Sequence, residues 1–221
     1  MEIENLQQLF QISKERLEGQ TGTINITFAN RNHVYTGNDV IGNCLQEWLP
    51  EWFKYLGVHI YPGGGTQAFP DFTAEFNKIS YDIEVKAWNI TAAPAFDLAN
   101  FQSFIESTYK SPAKINANYF ILGYMPAHDG FAQGFTVKKV FLKKIWEITG
   151  KSQKYPISIQ VKRGNPYALR PINFYKNPSK SFGNKEAFLK AIKETSYMFP
   201  NSELPCTSDQ WYTRVTHLLN R

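Results

Sequence analysis

Apolar residues recur at helical spacing in one part of this 221-residue chain and at strand spacing in the next. The first helix is predicted from Glu2 to Leu17. The second is predicted within "NDVIGNCLQEWLPEWFKYLG", with Asn38 or Asp39 as its cap, and Pro50 is expected to kink or restart it. The order of elements along the chain therefore begins with helices.

Strand patterns fill the middle of the chain. One strand is expected near Thr23–Ala29 and another at "VHIYP", and the continuous apolar run "NYFILGYM" indicates a buried strand. The segment "GFAQGFTVKKVFLKKIWEITG" begins extended, and its part from Lys138 fits either a strand or a helix. "PISIQVKRG" alternates cleanly, and "LRPINFY" fits a short strand after it.

Three further segments have helical spacing. "PAFDLANFQSFIESTYK" places Leu98, Phe101, Ile105 and Thr108 on one face. Near the end, "NKEAFLKAIKETSYMF" and "SDQWYTRVTHLLNR" predict two more helices, the second capped by Ser208. An order of helix, strands, helix and strand predicts an α/β (or α+β) sandwich.

Composition limits the class of protein. A hydrophobic content of 43% in 221 residues supports one sizeable core, so we expect a single domain over residues 1–221. No run of eighteen apolar residues occurs, and the first residues do not resemble a secretory leader, so we expect a cytoplasmic protein without a membrane partner. The two cysteines support neither a disulfide framework nor a zinc site.

The net charge of +5 conceals an uneven distribution of charge. Residues 1–135 carry 8 basic and 14 acidic side chains, residues 136–193 carry 14 and 2, and residues 194–221 carry 2 and 3. We call residues 136–193 the basic region. Twelve excess positive charges in under sixty residues favour a polyanionic partner such as nucleic acid, and a solvated lysine-rich face is the alternative.

The stretch "FPDFTAEFNKISYDIEVKAW" places charged residues in two predicted strands. Alternation puts Asp82, Glu84 and Lys86 on one face of the second strand, and the short link "AEFNKIS" suits a hairpin that returns Asp71 to the side of Glu84. Two carboxylates suit Mg²⁺, and a neighbouring lysine can orient the attacking water or offset charge on phosphate. The predicted site thus contains Asp71, Glu84 and Lys86 as catalytic residues.

Pro70-Asp71 followed by Glu84-Val85-Lys86 resembles the PD-(D/E)xK signature of type II restriction endonucleases. The resemblance implies a central mixed β-sheet flanked by helices, Mg²⁺-dependent cleavage of double-stranded DNA at a specific site, and 5′-phosphate and 3′-hydroxyl ends. It also implies a homodimer and a cognate DNA methyltransferase. The expected metal ligands, all within residues 40–90, are Asp71, Glu84, the carbonyl of Val85, and Glu47 from the second helix, although Glu47 also fits a solvated position.

The basic region interleaves Lys and Arg with aromatic residues. Arg is suited to guanine and Asn or Gln to adenine, while lysines suit phosphates. The expected base readers are Gln160, Lys162, Arg163, Asn165 and Arg170. The expected phosphate contacts are Lys143, Lys144, Lys151 and Lys154. The pattern of residues in "KIWEITGKSQKYPISIQVKRG" and "LRPINFY" resembles that of the family typified by NgoBV, which recognises GGNNCC.

Two other functions fit the same residues. A repair or junction-resolving nuclease would keep the fold and the acids but need less target-reading surface. A non-catalytic nucleic-acid-binding protein would use the basic region and keep the acids only as ion pairs. The loop "GGGTQA" lacks the Gly-Lys-Ser/Thr of a phosphate-binding loop, and it fits either a close approach to the DNA backbone or a plain turn.

Overall fold

The fold is described from a computed structural model over residues 3–37, 39–63, 69–127 and 134–219. The chain divides into two compact units, which are Met1–Ala93 with Asn118–Lys143, and Pro94–Ala117 with Lys144–Arg221. The expected metal-site region lies in the first unit, and most of the basic region lies in the second. The expectation of one domain stays a prediction.

Helices and strands alternate much as the apolar pattern predicts. The helices are α1 (Leu6–Leu17), α2 (Ile41–Tyr55), α3 (Phe101–Lys110), α4 (Ile145–Ile148), α5 (Lys185–Met198) and α6 (Ser208–Leu219). The strands are β1 (Thr21–Gly22), β2 (Asn25–Phe28), β3 (Arg31–Val34), β4 (His59–Pro62), β5 (Phe72–Phe76), β6 (Ile79–Asn89), β7 (Ala99–Asn100), β8 (Asn118–Pro126), β9 (Phe135–Lys144), β10 (Ile159–Lys162) and β11 (Asn165–Leu169).

A six-stranded mixed sheet forms the first unit, in the order β1-β9-β8-β6-β5-β4. Strands β4, β5 and β6 pair antiparallel, whereas β6 and β8 run parallel. Helices α1 and α2 bury their apolar stripes in one core with β5, β6 and β8. The predicted α/β class with a mixed sheet and flanking helices is therefore confirmed.

The β5–β6 hairpin turns in two residues. Asn77 and Lys78 have φ values of 49° and 65°, as a type I′ turn requires, and the right-handed twist of such turns matches that of the strands. The turn fixes the register, with Phe72 opposite Ile83 and Thr73 opposite Asp82. The predicted hairpin is thereby confirmed.

Helix α2 departs from its prediction at both its start and its middle. Val40 is the N-cap residue and provides no side-chain cap, while Asp39 instead accepts a hydrogen bond from the Tyr35 hydroxyl. Asn38 lies outside the described residues. The helix does not restart at Pro50, because apolar residues on both sides of it, including Leu45 and Phe53, are buried in the same core.

Three other helix predictions differ at their starts. Helix α1 begins at Leu6, not Glu2, since the Asn5 side chain accepts from the Gln8 N–H at 2.9 Å and caps it there. Helix α3 begins at Phe101, so Leu98 is buried ahead of the helix. Ser208 is not the cap of α6.

The cap of α6 is formed by its preceding residue. The N–H of Thr207 donates to the Gln210 side chain at 2.9 Å, and the Gln210 N–H donates to the Thr207 hydroxyl at 3.3 Å. This reciprocal pair is a capping box, and it satisfies two backbone donors at once.

The second unit contains a three-stranded sheet in the order β10-β11-β7, with α3 to α6. Residues 138–144 are strand, and α4 follows. The prediction of a strand at "LRPINFY" is wrong. Arg163 and Gly164 have positive φ and reverse the chain, so the strand that pairs with β10 is β11, and it ends at Leu169, the first residue of that segment. Within the described residues, none of the helices has the length and apolarity needed to cross a membrane.

Candidate active site on the β5–β6 hairpin

The two faces of β6 have opposite chemical character. Ile83, Val85 and Ala87 belong to the apolar core with α1 and α2. Glu84 and Lys86 alternate with them and so lie on the other face of the sheet. The predicted alternation is confirmed, and it brings an acidic and a basic side chain together on one face.

Asp71 directly precedes β5 and reaches across to β6. Its Oδ2 accepts a hydrogen bond from the backbone N–H of Val85 at 2.7 Å. The two halves of the charged motif, fourteen residues apart in sequence, are thus in direct contact. Asp71 itself is an exposed residue.

Glu84 forms a buried ion pair with Lys86. Glu84 Oε1 and Lys86 Nζ are 2.7 Å apart, and the two side chains are 7% and 15% exposed. Burial raises the pKa of Glu84 to about 7, with the charge of Asp71 adding to the rise and Lys86 opposing it. The desolvation penalty exceeds the attraction of the lysine, so this carboxylate gains strongly from any further positive charge.

The second oxygen of Glu84 is buried and, among the described residues, has no hydrogen-bond partner. Leaving such an atom unpaired costs about 1–3 kcal/mol, and more when the group is charged. A divalent cation between Asp71 and Glu84 would supply this missing partner. The donor set therefore fits Mg²⁺, which prefers carboxylate oxygens and keeps several of its waters.

Tyr119 completes this face of the sheet and was missed by sequence reasoning. It lies directly opposite Glu84 in the parallel β6–β8 register. Its side chain is fully buried, and burial together with the charges of Glu84 and Asp71 raises its pKa well above the usual value. The apolar run that predicted β8 gave no indication of which residue would face the acids.

Glu47 is placed apart from these carboxylates. It lies on the exposed side of α2, whose buried residues pack against the β6 face that carries Val85. Within the described part of the chain, no three His, Cys, Asp or Glu side chains are grouped to hold a metal. The structure thus brings together Asp71, Glu84 and Lys86 but does not bring Glu47 into a three-acid cluster with them.

The glycine-rich loop enters the site through its first residue. The N–H of Gly63 donates to the carbonyl of Asp71 at 2.9 Å, and a Cβ at Gly63 would collide with the carbonyl oxygen of Pro70. Glycine is required there for close backbone approach. Residues 64–68, and with them the rest of that prediction, lie outside the described residues.

The expected base readers cluster on the β10–β11 hairpin in the second unit. Lys162, Arg163 and Asn165 are exposed at and beside its two-residue turn. Lys162 Nζ lies 3.4 Å from the centroid of the Tyr167 ring, a cation–π contact that fixes the ammonium group. A register shift lies between Gln160 and Val161, so simple alternation does not describe that strand.

Arg170 and Gln160 are engaged with their own unit. Arg170 Nη2 donates to Gln160 Oε1 at 2.9 Å, and Nε contacts Asp97 at 2.8 Å. The Arg170 guanidinium also donates to the carbonyl of Ala95. These contacts stabilise the end of the hairpin away from its turn. They must be broken before either side chain can contact a DNA base.

The expected phosphate contacts have varied surroundings. Lys144 donates to the carbonyl of Asn116, and Lys143 is half-buried near the end of β9. Lys151 and Lys154 are exposed in the segment between α4 and β10, with Lys154 Nζ 5.4 Å from the Tyr155 ring centroid. Lys151 and Lys154 are thus the two most accessible of the four.

Comparison with known proteins gives a consistent result. Residues 3–221 match the model of the family described as NgoBV restriction endonuclease. The type II restriction enzyme NlaIV of Neisseria lactamica is 32% identical over 200 residues, covering 88% of this chain and 81% of the relative. The type II restriction enzyme NgoBV of Neisseria gonorrhoeae is 30% identical over 160 residues, covering 71% and 89%.

A solved structure extends the similarity to three dimensions. The structure described as NlaIV restriction endonuclease superposes with a TM-score of 0.84 at 28% identity, covering all of this chain and 92% of that one. The restriction-endonuclease-like fold expected from the sequence is confirmed by this match.

Proposed function

Since the chain belongs to the NgoBV restriction endonuclease family and is a type II restriction enzyme by that membership, we propose that it hydrolyses double-stranded DNA with Mg²⁺ at a palindromic site. The observation that carries the proposal is the contact between Asp71 and the Val85 N–H beside the buried Glu84–Lys86 pair. It unites two carboxylates and an ammonium group on one hairpin.

Asp71 and Glu84 are the proposed cation ligands, with the carbonyl of Val85 as a third oxygen. Bound there, Mg²⁺ would supply charge stabilisation for phosphodiester hydrolysis. Glu47 remains a proposed ligand that would require α2 or its side chain to reach the site. This donor set consists of oxygen atoms without a soft thiolate, so it favours a hard cation.

Lys86 has two proposed roles that depend on its contact with Glu84. Its ammonium group lies 2.7 Å from the buried carboxylate and balances its charge. Positive charge at the acids would reduce the attraction of Glu84 for the ammonium, which then becomes available to the attacking water or to a phosphate oxygen. The low exposure of the pair strengthens each of these interactions by excluding water.

DNA recognition is assigned to the β10–β11 hairpin and the exposed lysines. A two-stranded ribbon fits the major groove, where Arg pairs with guanine and Asn with adenine. Arg163 and Asn165 at the turn are the proposed base readers, together with Lys162, Gln160 and Arg170. Lys143, Lys144, Lys151 and Lys154 are proposed to bind phosphates, which supply affinity without sequence information.

A palindromic target is matched by two-fold symmetry in the protein. We therefore infer a homodimer in which each copy cuts one strand, and a cognate methyltransferase that protects the host sites. The family resemblance makes GGNNCC the first sequence to test.

The test is incubation of the full chain with plasmid DNA and Mg²⁺, followed by sequencing of the ends. Discrete fragments with one common sequence at every end support the proposal. Cutting only at branched DNA would instead indicate a junction-resolving nuclease. Salt-sensitive DNA binding without cleavage in Mg²⁺ or Mn²⁺ would indicate a binding protein.

A further inference from the structure

Two buried polar atoms without partners belong to residues that are paired across the sheet. They are Glu84 Oε2 and the hydroxyl oxygen of Tyr119, and neither has a hydrogen bond among the described residues. Their residues face each other across the parallel β6–β8 pair. One group is an acceptor and the other can donate, so each offers what its neighbour lacks.

A tyrosine hydroxyl in this position has an energetic cost. Tyr119 is 1% exposed, and the centroid of its ring lies 6.4 Å from that of Phe69. Phe69 directly precedes the Pro70-Asp71 segment in the chain. A phenylalanine would retain this packing without burying an unpaired hydroxyl. The hydroxyl therefore needs a partner in some other state of the site.

The contacts of the Glu84 carboxylate indicate what that state is. Oε1 is bound to Lys86, while Oε2 is buried without a partner. A cation shared with Asp71 would occupy one lone pair of the Glu84 carboxylate and leave the others to donors of the protein. A donor fixed to the neighbouring strand would hold the remaining oxygen in place.

We propose that Tyr119 is a positioning residue whose hydroxyl donates to Glu84 in the cation-bound site, directly or through one water. The inference rests on the proposed function, since it assumes a cation between Asp71 and Glu84. It adds a residue outside the charged motif. The hydroxyl acts through Glu84, and it does not touch DNA or the reacting atoms.

The test uses Tyr119→Phe in the full chain, which removes one oxygen and keeps the ring. Tyr124→Phe is the matched control, because Tyr124 is also a buried tyrosine of β8 but belongs to the core on the opposite face. Mn²⁺ affinity is measured without DNA by calorimetric titration. Single-turnover cleavage in subsaturating Mg²⁺ and DNA affinity in Ca²⁺ are measured in parallel.

We expect Tyr119→Phe to bind Mn²⁺ about tenfold more weakly, the effect of one hydrogen bond to a charged group. Cleavage should slow by a similar factor while DNA affinity stays unchanged. Tyr124→Phe should match the wild type in all three measurements. The metal-free melting temperature of Tyr119→Phe should equal or exceed that of the wild type, since an unpaired hydroxyl is removed.

Wild-type Mn²⁺ affinity in Tyr119→Phe would overturn the inference while leaving the proposed function intact. Failure of this variant to fold would also overturn it, because the hydroxyl would then serve the metal-free structure. If the wild-type protein itself neither bound Mn²⁺ nor cut DNA, the proposed function would fail, and the role of Tyr119 with it.

Discussion

Asp71 accepts a hydrogen bond from the backbone N–H of Val85, and this 2.7 Å contact joins the two halves of the charged motif. The contact uses the backbone of β6, so it leaves the side chain of Glu84 available. It also commits one oxygen of Asp71 to structure and leaves the other for chemistry. Substitutions of Asp71 can therefore separate its structural role from its chemical role.

Replacing Asp71 by Asn should preserve the fold and abolish cleavage. The amide oxygen can still accept from Val85, so we expect the free energy of unfolding to change by less than about 1 kcal/mol. The lost negative charge should reduce cleavage by at least about 100-fold. Thermal unfolding and single-turnover cleavage check the two effects. Asp71→Ala, which cannot accept, should be less stable than Asp71→Asn.

Replacing Glu84 by Gln should reduce cleavage by about 1,000-fold or more while DNA binding in Ca²⁺-free buffer is retained. Glu75→Gln is the control, because Glu75 lies on the same hairpin in β5 but pairs with Ser80 near the turn. Gel-shift and cleavage assays on the same DNA give both values. Cleavage by Glu84→Gln at the rate of the control would remove Glu84 from the mechanism.

The stability of the metal-free protein should fall as pH rises from about 4.5 to about 7. Glu84 has a raised pKa of about 7 in the folded chain, so across this window the folded state holds a proton that the unfolded state has lost. Across this window the free energy of unfolding should fall by about 3 kcal/mol. Urea unfolding at several pH values measures it. Glu84→Gln should lack this contribution, and Mg²⁺ should oppose the loss at pH 8.

Replacing Lys86 by Met should slow cleavage by about 100-fold or more, since the ammonium group is lost while the apolar stem is kept. Mn²⁺ binding should persist, because the carboxylates remain. Lys78→Met at the hairpin turn is a matched control that removes an equal charge from an exposed position. Loss of Mn²⁺ binding in Lys86→Met would contradict the separation of roles.

Replacing Arg163 by Asn should reduce discrimination between target and other DNA. Asn tolerates the positive φ of 52° at this position, so the turn should be retained. Loss of a base contact should reduce the binding free energy by about 1–3 kcal/mol and relax specificity at one position of the site. Competition binding with single-base variants of the target measures this. Lys154→Asn should weaken binding to all sequences equally and reduce its salt dependence.

The sequence predicts the hairpin and its charges well because both depend on local rules. Alternation places Glu84 and Lys86 on one face, and the short Asn77–Lys78 turn brings Asp71 back. The role of Tyr119 could not be predicted in this way. It depends on the parallel pairing of β6 with β8, and α3 lies between these strands in the chain.

Other differences also arise from tertiary contacts. Pro50 stays within α2 because the residues around it share one core, a contribution that local propensity does not contain. Arg170 and Gln160 are residue types that contact DNA bases, yet in the fold they form a hydrogen bond with each other. Residue type predicts what a side chain can bind, whereas the fold decides what it does bind in the free protein.

Anomalous diffraction from crystals of the protein soaked in Mn²⁺ tests the proposed metal site directly. We predict a peak in contact with carboxylate oxygens of both Asp71 and Glu84. Mn²⁺ bound only elsewhere would contradict this prediction.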